Sequence, residues 1–191
     1  MTNALWYFGR GAGVSALVLF TLVVVLGVVV RLGRPLPGLP RFTVAAIHRT
    51  TSLTALGFLA LHIGTLVLDP YAQLRLFDTV VPFFGAYRPV WQGFGTLAVD
   101  LVLLLVGSSL LRHRIGLRAW RWLHWSAYLC WPVALAHAVG NGTDRTSTWM
   151  LAVVGGCLAA VGGALAWRMS ASDLPPEPTV VAPPAHLSGL R

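Results

Sequence analysis

The hydrophobic residues of this chain fall into long stretches that are separated by short polar and charged segments. A helix that crosses a hydrocarbon core of about 30 Å needs about 20 apolar residues. Four stretches reach this length without any charge, and a fifth reaches it with one acid, Asp100. The pattern therefore predicts five transmembrane α-helices, between Arg10 and Arg31, Arg49 and Asp69, Arg88 and Arg112, Arg121 and Asp144, and Arg145 and Arg168.

The composition favours an integral membrane protein over a soluble domain. Of the 191 residues, 56% are hydrophobic and 10% are charged, against about 25% charged in a typical soluble domain. We expect an all-α membrane bundle over residues 1–169, with no room for a separate nucleotide-binding domain. The first apolar stretch is too long for a signal peptide, so we expect a retained helix. Residues 170–191 are rich in proline and predict a disordered tail.

The charges predict the orientation of the bundle. All fourteen basic residues are arginines, and a net charge of +8 would suggest a nucleic-acid partner in a soluble chain. Here the arginines flank apolar stretches, so they indicate topology and we expect no nucleic acid as a partner. With five crossings, one face carries ten arginines and the other carries four. The positive-inside rule then predicts a protein of the cell membrane with its N-terminus outside and its C-terminus in the cytoplasm.

Four of the six histidines lie inside predicted helices. His48 and His62 are fourteen residues apart on the second helix, and His124 and His137 are thirteen apart on the fourth. At a rise of 1.5 Å per residue, each pair spans about 20 Å along its helix. Both helices run in the same direction, so each level of the membrane receives one histidine from each helix. The outer level would hold His62 with His137, and the inner level His48 with His124.

This arrangement suits two flat cofactors stacked across the membrane. A closed zinc site needs four ligands at one point, whereas these histidines stand in two separate pairs. Two imidazoles per level are enough for an iron whose other four ligands come from a porphyrin. The chain has no CxxCH motif, and Cys130 and Cys157 are isolated. We therefore predict two noncovalent haem b groups with bis-histidine ligation.

Arginines near the two levels are candidate partners for haem propionates, because a guanidinium pairs well with a carboxylate. Those near the inner level are Arg41, Arg49 and Arg121, and those near the outer level are Arg88 and Arg145. One feature of the fourth helix does not fit this arrangement. At about 100° per residue, thirteen residues miss the starting face by about 140°. Pro132 lies between the two histidines and predicts a kink that corrects part of this error.

The paired histidines, spaced fourteen and thirteen on two helices with one span between them, resemble the ferric reductase-like transmembrane domain. This family includes ferric reductases, the membrane domain of NADPH oxidases and the haem subunit of a periplasmic methionine sulfoxide reductase. The resemblance covers about residues 10–168 and implies that His48, His62, His124 and His137 are the haem ligands. It implies electron transfer from the inner haem to the outer one.

Two departures from the family limit what the resemblance implies. The chain has no GxGxxG motif for a fused flavin and NADPH domain, so a separate cytoplasmic flavoprotein, or quinol, would donate electrons. Leu66 stands where the oxidases carry a further histidine, which weighs against superoxide production. The acceptor would be an extracytoplasmic protein or small molecule.

Two other functions are compatible with the same residues. The chain could be a quinone-reactive cytochrome b that anchors a larger redox complex. Alternatively, it could be a cofactor-free transporter or scaffold in which Asp100 and the histidines form a polar path, since a charged residue in a membrane span is costly and often functional. Asp100 could equally serve a structural hydrogen bond.

Overall fold

The computed structural model describes residues 4–32 and 40–172, except for the side chains of Arg41, Ala171 and Ser172. All regular secondary structure in this part of the chain is helical, which confirms the all-α prediction. The elements are α1 (Ala4–Leu32), α2 (Arg41–Leu68), a short 3₁₀ helix (Leu76–Thr79), α3 (Pro89–Leu110), α4 (Arg112–His124), α5 (Ala127–Asn141) and α6 (Thr148–Ser172).

Four helices are long and apolar enough to cross a membrane within the described residues. They are α1, α2 from Phe42 onward, α3, and α6 as far as Ser170. Large apolar side chains on their outer surfaces are exposed, for example Leu22, Leu103 and Leu158. Such a surface is stable only against lipid or another apolar partner. The protein is therefore a helical membrane bundle, and four of the five predicted crossings correspond to single long helices.

The predicted fourth helix is not continuous. His124 is the last residue of α4, Trp125 and Ser126 form a turn, and α5 begins at Ala127. With 15 residues, α5 alone is shorter than a membrane crossing requires. Pro132 lies inside α5, so the interruption is not at the proline where the sequence predicts a kink.

The core of the bundle forms where α1, α5 and α6 meet. Leu17, Trp131, Cys157 and Val161 pack there as one buried cluster. The Trp131 indole Nε1 donates a hydrogen bond to Thr21 Oγ1 at 2.9 Å, which satisfies a polar group that would be costly to leave unpaired. The close helix pairs are α1 with α2, α5 and α6, and α3 with α4 and α5.

The segment between α2 and α3 is fixed to the end of the bundle where α2 ends and α3 begins. Asp78 is fully buried and forms an ion pair with Arg75 at 3.3 Å. Its backbone carbonyl accepts a hydrogen bond from Thr96 of α3 at 2.6 Å. The segment is therefore held against α3.

The C-terminal segment whose sequence predicts disorder begins inside a helix. Helix α6 continues to Ser172, three residues into the segment predicted to be disordered. Residues 173–191 lie outside the described part of the chain.

Candidate functional site

The structure brings the two outer histidines together. His62 of α2 and His137 of α5 have ring centroids 6.3 Å apart, and their ring planes are inclined at 75°. Their helices are not among the closely packed pairs, because α2 packs on α1 while α5 packs on α3 and α1. The two imidazoles therefore meet across a gap between the helices.

A cavity of about 800 Å³ occupies this gap, and both His62 and His137 line it. Much of its wall is apolar and is formed by side chains such as Val14, Leu17, Phe20, Leu59, Val99 and Val102. Toward the outer end the lining becomes polar and includes Gln92, Asn141 and Arg145. A mostly apolar cavity of this size with a few polar groups is typical of a site for a small molecule or cofactor.

Backbone carbonyls determine which nitrogen of each outer imidazole is free. His62 Nδ1 lies 2.7 Å from the carbonyl oxygen of Gly9 on α1. His137 Nδ1 lies 2.8 Å from the carbonyl oxygen of Trp91 on α3. A carbonyl can only accept, so each Nδ1 must carry the proton and donate it. Each Nε2 therefore retains its lone pair and is available to a metal.

Two glycines, which sequence reasoning missed, allow this approach. A Cβ atom on Gly13 would lie 2.7 Å from His62 Nδ1, and one on Gly95 would lie 2.6 Å from both Nδ1 and Cε1 of His137. Real Cβ atoms essentially never come so close, so any other residue at these positions would displace the ring. A sequence signal for the α1 contact exists, because Gly13 and Gly27 have the same spacing of fourteen as the two histidines of α2.

The inner histidines also lie near each other, but they lack the backbone hydrogen bonds that hold the outer pair. His124 lies within electrostatic range of His48 and of Arg31, and its ring stacks on Trp120 with centroids 5.0 Å apart. His48 interacts with the backbone of Val23, but its Nδ1 has no partner in good hydrogen-bond geometry. Within the described residues, both inner Nδ1 atoms are buried without a hydrogen-bond partner.

The turn between α4 and α5 explains how His124 and His137 both reach α2. The backbone there makes hydrogen bonds of the 3₁₀ type, in which an N–H donates to the carbonyl three residues earlier: Trp125 to Trp122, Ser126 to Leu123, Tyr128 to Trp125 and Leu129 to Ser126. Such winding advances about 20° more per residue than an α-helix. This winding therefore makes up part of the angle of about 140° that an ideal helix would leave.

The arginines proposed as propionate partners differ in their placement. Arg49 and Arg121 are exposed, and the side chain of Arg41 lies outside the described residues. Arg88 does not line the cavity, because its Nη1 donates a hydrogen bond to the Gly140 carbonyl at 2.9 Å and ties α3 to the end of α5. Arg145 does line the cavity.

Arg31 and Asp100 both lie outside the cavity lining. Arg31, which the sequence marks only as a topology signal, lies near His124 with its guanidinium 4.7 Å from the centre of the Trp125 ring. Asp100 is partly exposed on α3 and is not part of the cavity lining, which includes its neighbour Val99. Asp100 has no hydrogen bond or ion pair within the described part of the chain.

Comparisons with family models, with curated proteins and with solved structures give no match for this chain. The resemblance to the ferric reductase-like domain therefore remains a prediction from histidine spacing. Residues 4–32 and 40–172 contain no group of three or more His, Cys, Asp or Glu side chains able to hold a metal ion. The site consists of imidazoles in pairs, and a metal held there would need further ligands from another molecule.

Proposed function

We propose that this protein is a transmembrane dihaem cytochrome b. It would pass electrons from a cytoplasmic flavoprotein or quinol to an extracytoplasmic acceptor. The observation that carries this proposal is the outer pair, in which two imidazoles from helices that do not pack together meet across an apolar cavity.

The separation of the outer rings supports ligation of one metal between them. With metal–nitrogen bonds of about 2 Å and a nitrogen about 1 Å from its ring centre, two imidazoles on opposite sides of a metal have centroids about 6 Å apart. The His62 and His137 centroids are 6.3 Å apart. Both rings have Nδ1 occupied by a carbonyl contact, so Nε2 is the nitrogen that would bind. A porphyrin would supply the four ligands that the chain lacks.

The inner pair supports a second group at the other level. His48 of α2 and His124 at the end of α4 lie near enough to interact electrostatically. Arg31 lies beside them and is a candidate partner for an acidic group on a bound cofactor. In this proposal the last turn of α4, the turn at Trp125 and Ser126, and α5 together form the fifth crossing.

The residues of the chain would perform three tasks in electron transfer. The four histidines would hold the two groups at separate depths, and the apolar cavity wall beside His62 and His137 would exclude water from the outer group. Arg145 at the outer level and Arg31 at the inner level would provide positive charge beside the groups. The bound haems would supply reversible one-electron chemistry, and burial and nearby charge would set their potentials. The arginine distribution supports an orientation with the inner pair toward the cytoplasm.

A difference spectrum of the purified protein tests the proposal. The reduced-minus-oxidised spectrum should show a b-type cytochrome, and pyridine haemochrome and protein assays should give two haems per chain. His62→Ala should reduce this ratio to about one, because the outer group would lose one of the two histidines that hold it while the inner pair is unchanged. Protein that remains free of haem after expression with a haem precursor and reconstitution with hemin would contradict the proposal.

The donor can be identified in the same preparation. Reduction by a quinol that is sensitive to a quinone-site inhibitor would identify a quinone-reactive cytochrome, whereas reduction only by a flavoprotein would favour the ferric reductase-like function.

A further inference from the structure

We infer that Gly13 and Gly95 are positioning residues that select the nitrogen and fix the orientation of the two outer histidine ligands. This inference rests on the proposed function and extends it to residues that do not touch the metal. Each glycine would act by letting an imidazole lie against the backbone of a neighbouring helix.

The contact on α1 shows how this works. The imidazole of His62 lies so close to Gly13 that a Cβ there would be 2.7 Å from Nδ1. The carbonyl that faces the same Nδ1, at 2.7 Å, belongs to Gly9, four residues earlier and thus one turn away. Without a side chain at position 13, the ring can reach over the helix surface to this carbonyl.

The contact on α3 repeats the same arrangement from a different helix. A Cβ on Gly95 would be 2.6 Å from His137 Nδ1, and the facing carbonyl, at 2.8 Å, belongs to Trp91, again four residues earlier. Two histidines on different helices therefore use the same pairing of a glycine with a carbonyl one turn away. The recurrence indicates a common requirement of the two ligands.

The two carbonyl contacts have the same chemical consequence for their imidazoles. The carbonyl contact places the proton on Nδ1 and leaves Nε2 unprotonated, and a donor hydrogen bond of this kind makes the imidazole a stronger ligand. Moving the ring away from the carbonyl would remove both effects. Loss of such an orienting contact typically weakens metal binding about 10- to 100-fold.

The test compares alanine substitutions at these glycines with alanine substitutions at open glycines. Gly13→Ala and Gly95→Ala should each lower the haem content from two toward one per chain. Carbon monoxide should bind to any outer haem that remains, because one of its two histidines would have moved away. The electron paramagnetic resonance signal of the outer low-spin haem should shift or disappear, while that of the inner haem persists.

Gly64→Ala and Gly107→Ala are the matched controls. Nothing lies within 4 Å of a Cβ at either position, and they lie on α2 and α3, the helices that carry His62 and Gly95. Both controls should retain two haems and the wild-type resonance signals.

The outcomes separate this inference from the proposed function. Wild-type protein without haem would overturn both, before any variant is made. Wild-type protein with two haems, together with glycine variants that keep both haems and an unchanged outer signal, would overturn the inference alone. Loss of both haems in both glycine variants would also overturn it, because the glycines would then support the bundle as a whole rather than the outer ligands.

Discussion

The two histidine pairs of this bundle are built differently. The outer imidazoles are each fixed by a backbone carbonyl and a glycine on a neighbouring helix. The inner imidazoles have buried Nδ1 atoms without hydrogen bonds within the described residues, and one of them lies at the end of a helix, stacked on Trp120. The two outer imidazoles are thus oriented by the backbone of neighbouring helices. A ligand at a helix end depends on side-chain contacts.

The largest expected effect comes from replacing one of the inner histidines. His124→Ala should eliminate the inner haem and leave the outer one with its normal resonance signal, since His62 and His137 have supports that do not involve α4. Haem content and resonance spectra measure this directly. Loss of both haems would show that the two levels depend on each other, and the comparison between them would then fail.

A smaller effect is expected from Trp120→Ala. The Trp120 ring stacks on the imidazole of His124. Aromatic contacts of this kind contribute about 0.5–1.5 kcal/mol. The affinity of the inner site for haem should therefore fall about 2- to 10-fold, as measured by competition with apomyoglobin.

Trp120→Phe is the control for this prediction, because it retains an aromatic face while losing the indole hydrogen bond to Ser109. If phenylalanine weakened the inner site as much as alanine, the hydrogen bond rather than the stacked ring would be the relevant support.

Much of this architecture could be predicted from the sequence. Apolar length alone located α1, α2, α3 and α6, because lipid requires long uninterrupted helices. The matched depths of His62 and His137 predicted their meeting, since rise per residue fixes depth along a straight helix.

Other features of the fold and the site could not be predicted, because they depend on local geometry that the sequence does not reveal. The break after His124 arises from tight backbone winding around Trp125 and Ser126, and no glycine or proline stands at these two positions to mark it. The roles of Gly13 and Gly95 depend on which helix packs beside which histidine. The arginines were the least predictable, because long flexible side chains reach partners on other helices, as Arg88 does at Gly140 of α5.

The smallest effect should come from Gly27→Ala, the inner counterpart of Gly13→Ala. A Cβ at Gly27 would lie 3.4 Å from His48 Cε1, which is ordinary van der Waals contact, and His48 has no well-formed Nδ1 hydrogen bond to lose. Both haems should therefore be retained, and helix stability should rise by up to about 1 kcal/mol because alanine favours helix more than glycine does. Haem content and thermal denaturation measure the two expectations. If Gly27→Ala instead released the inner haem as readily as Gly13→Ala releases the outer one, the inner ring would be held against its glycine just as tightly, and backbone support would be a property of both levels.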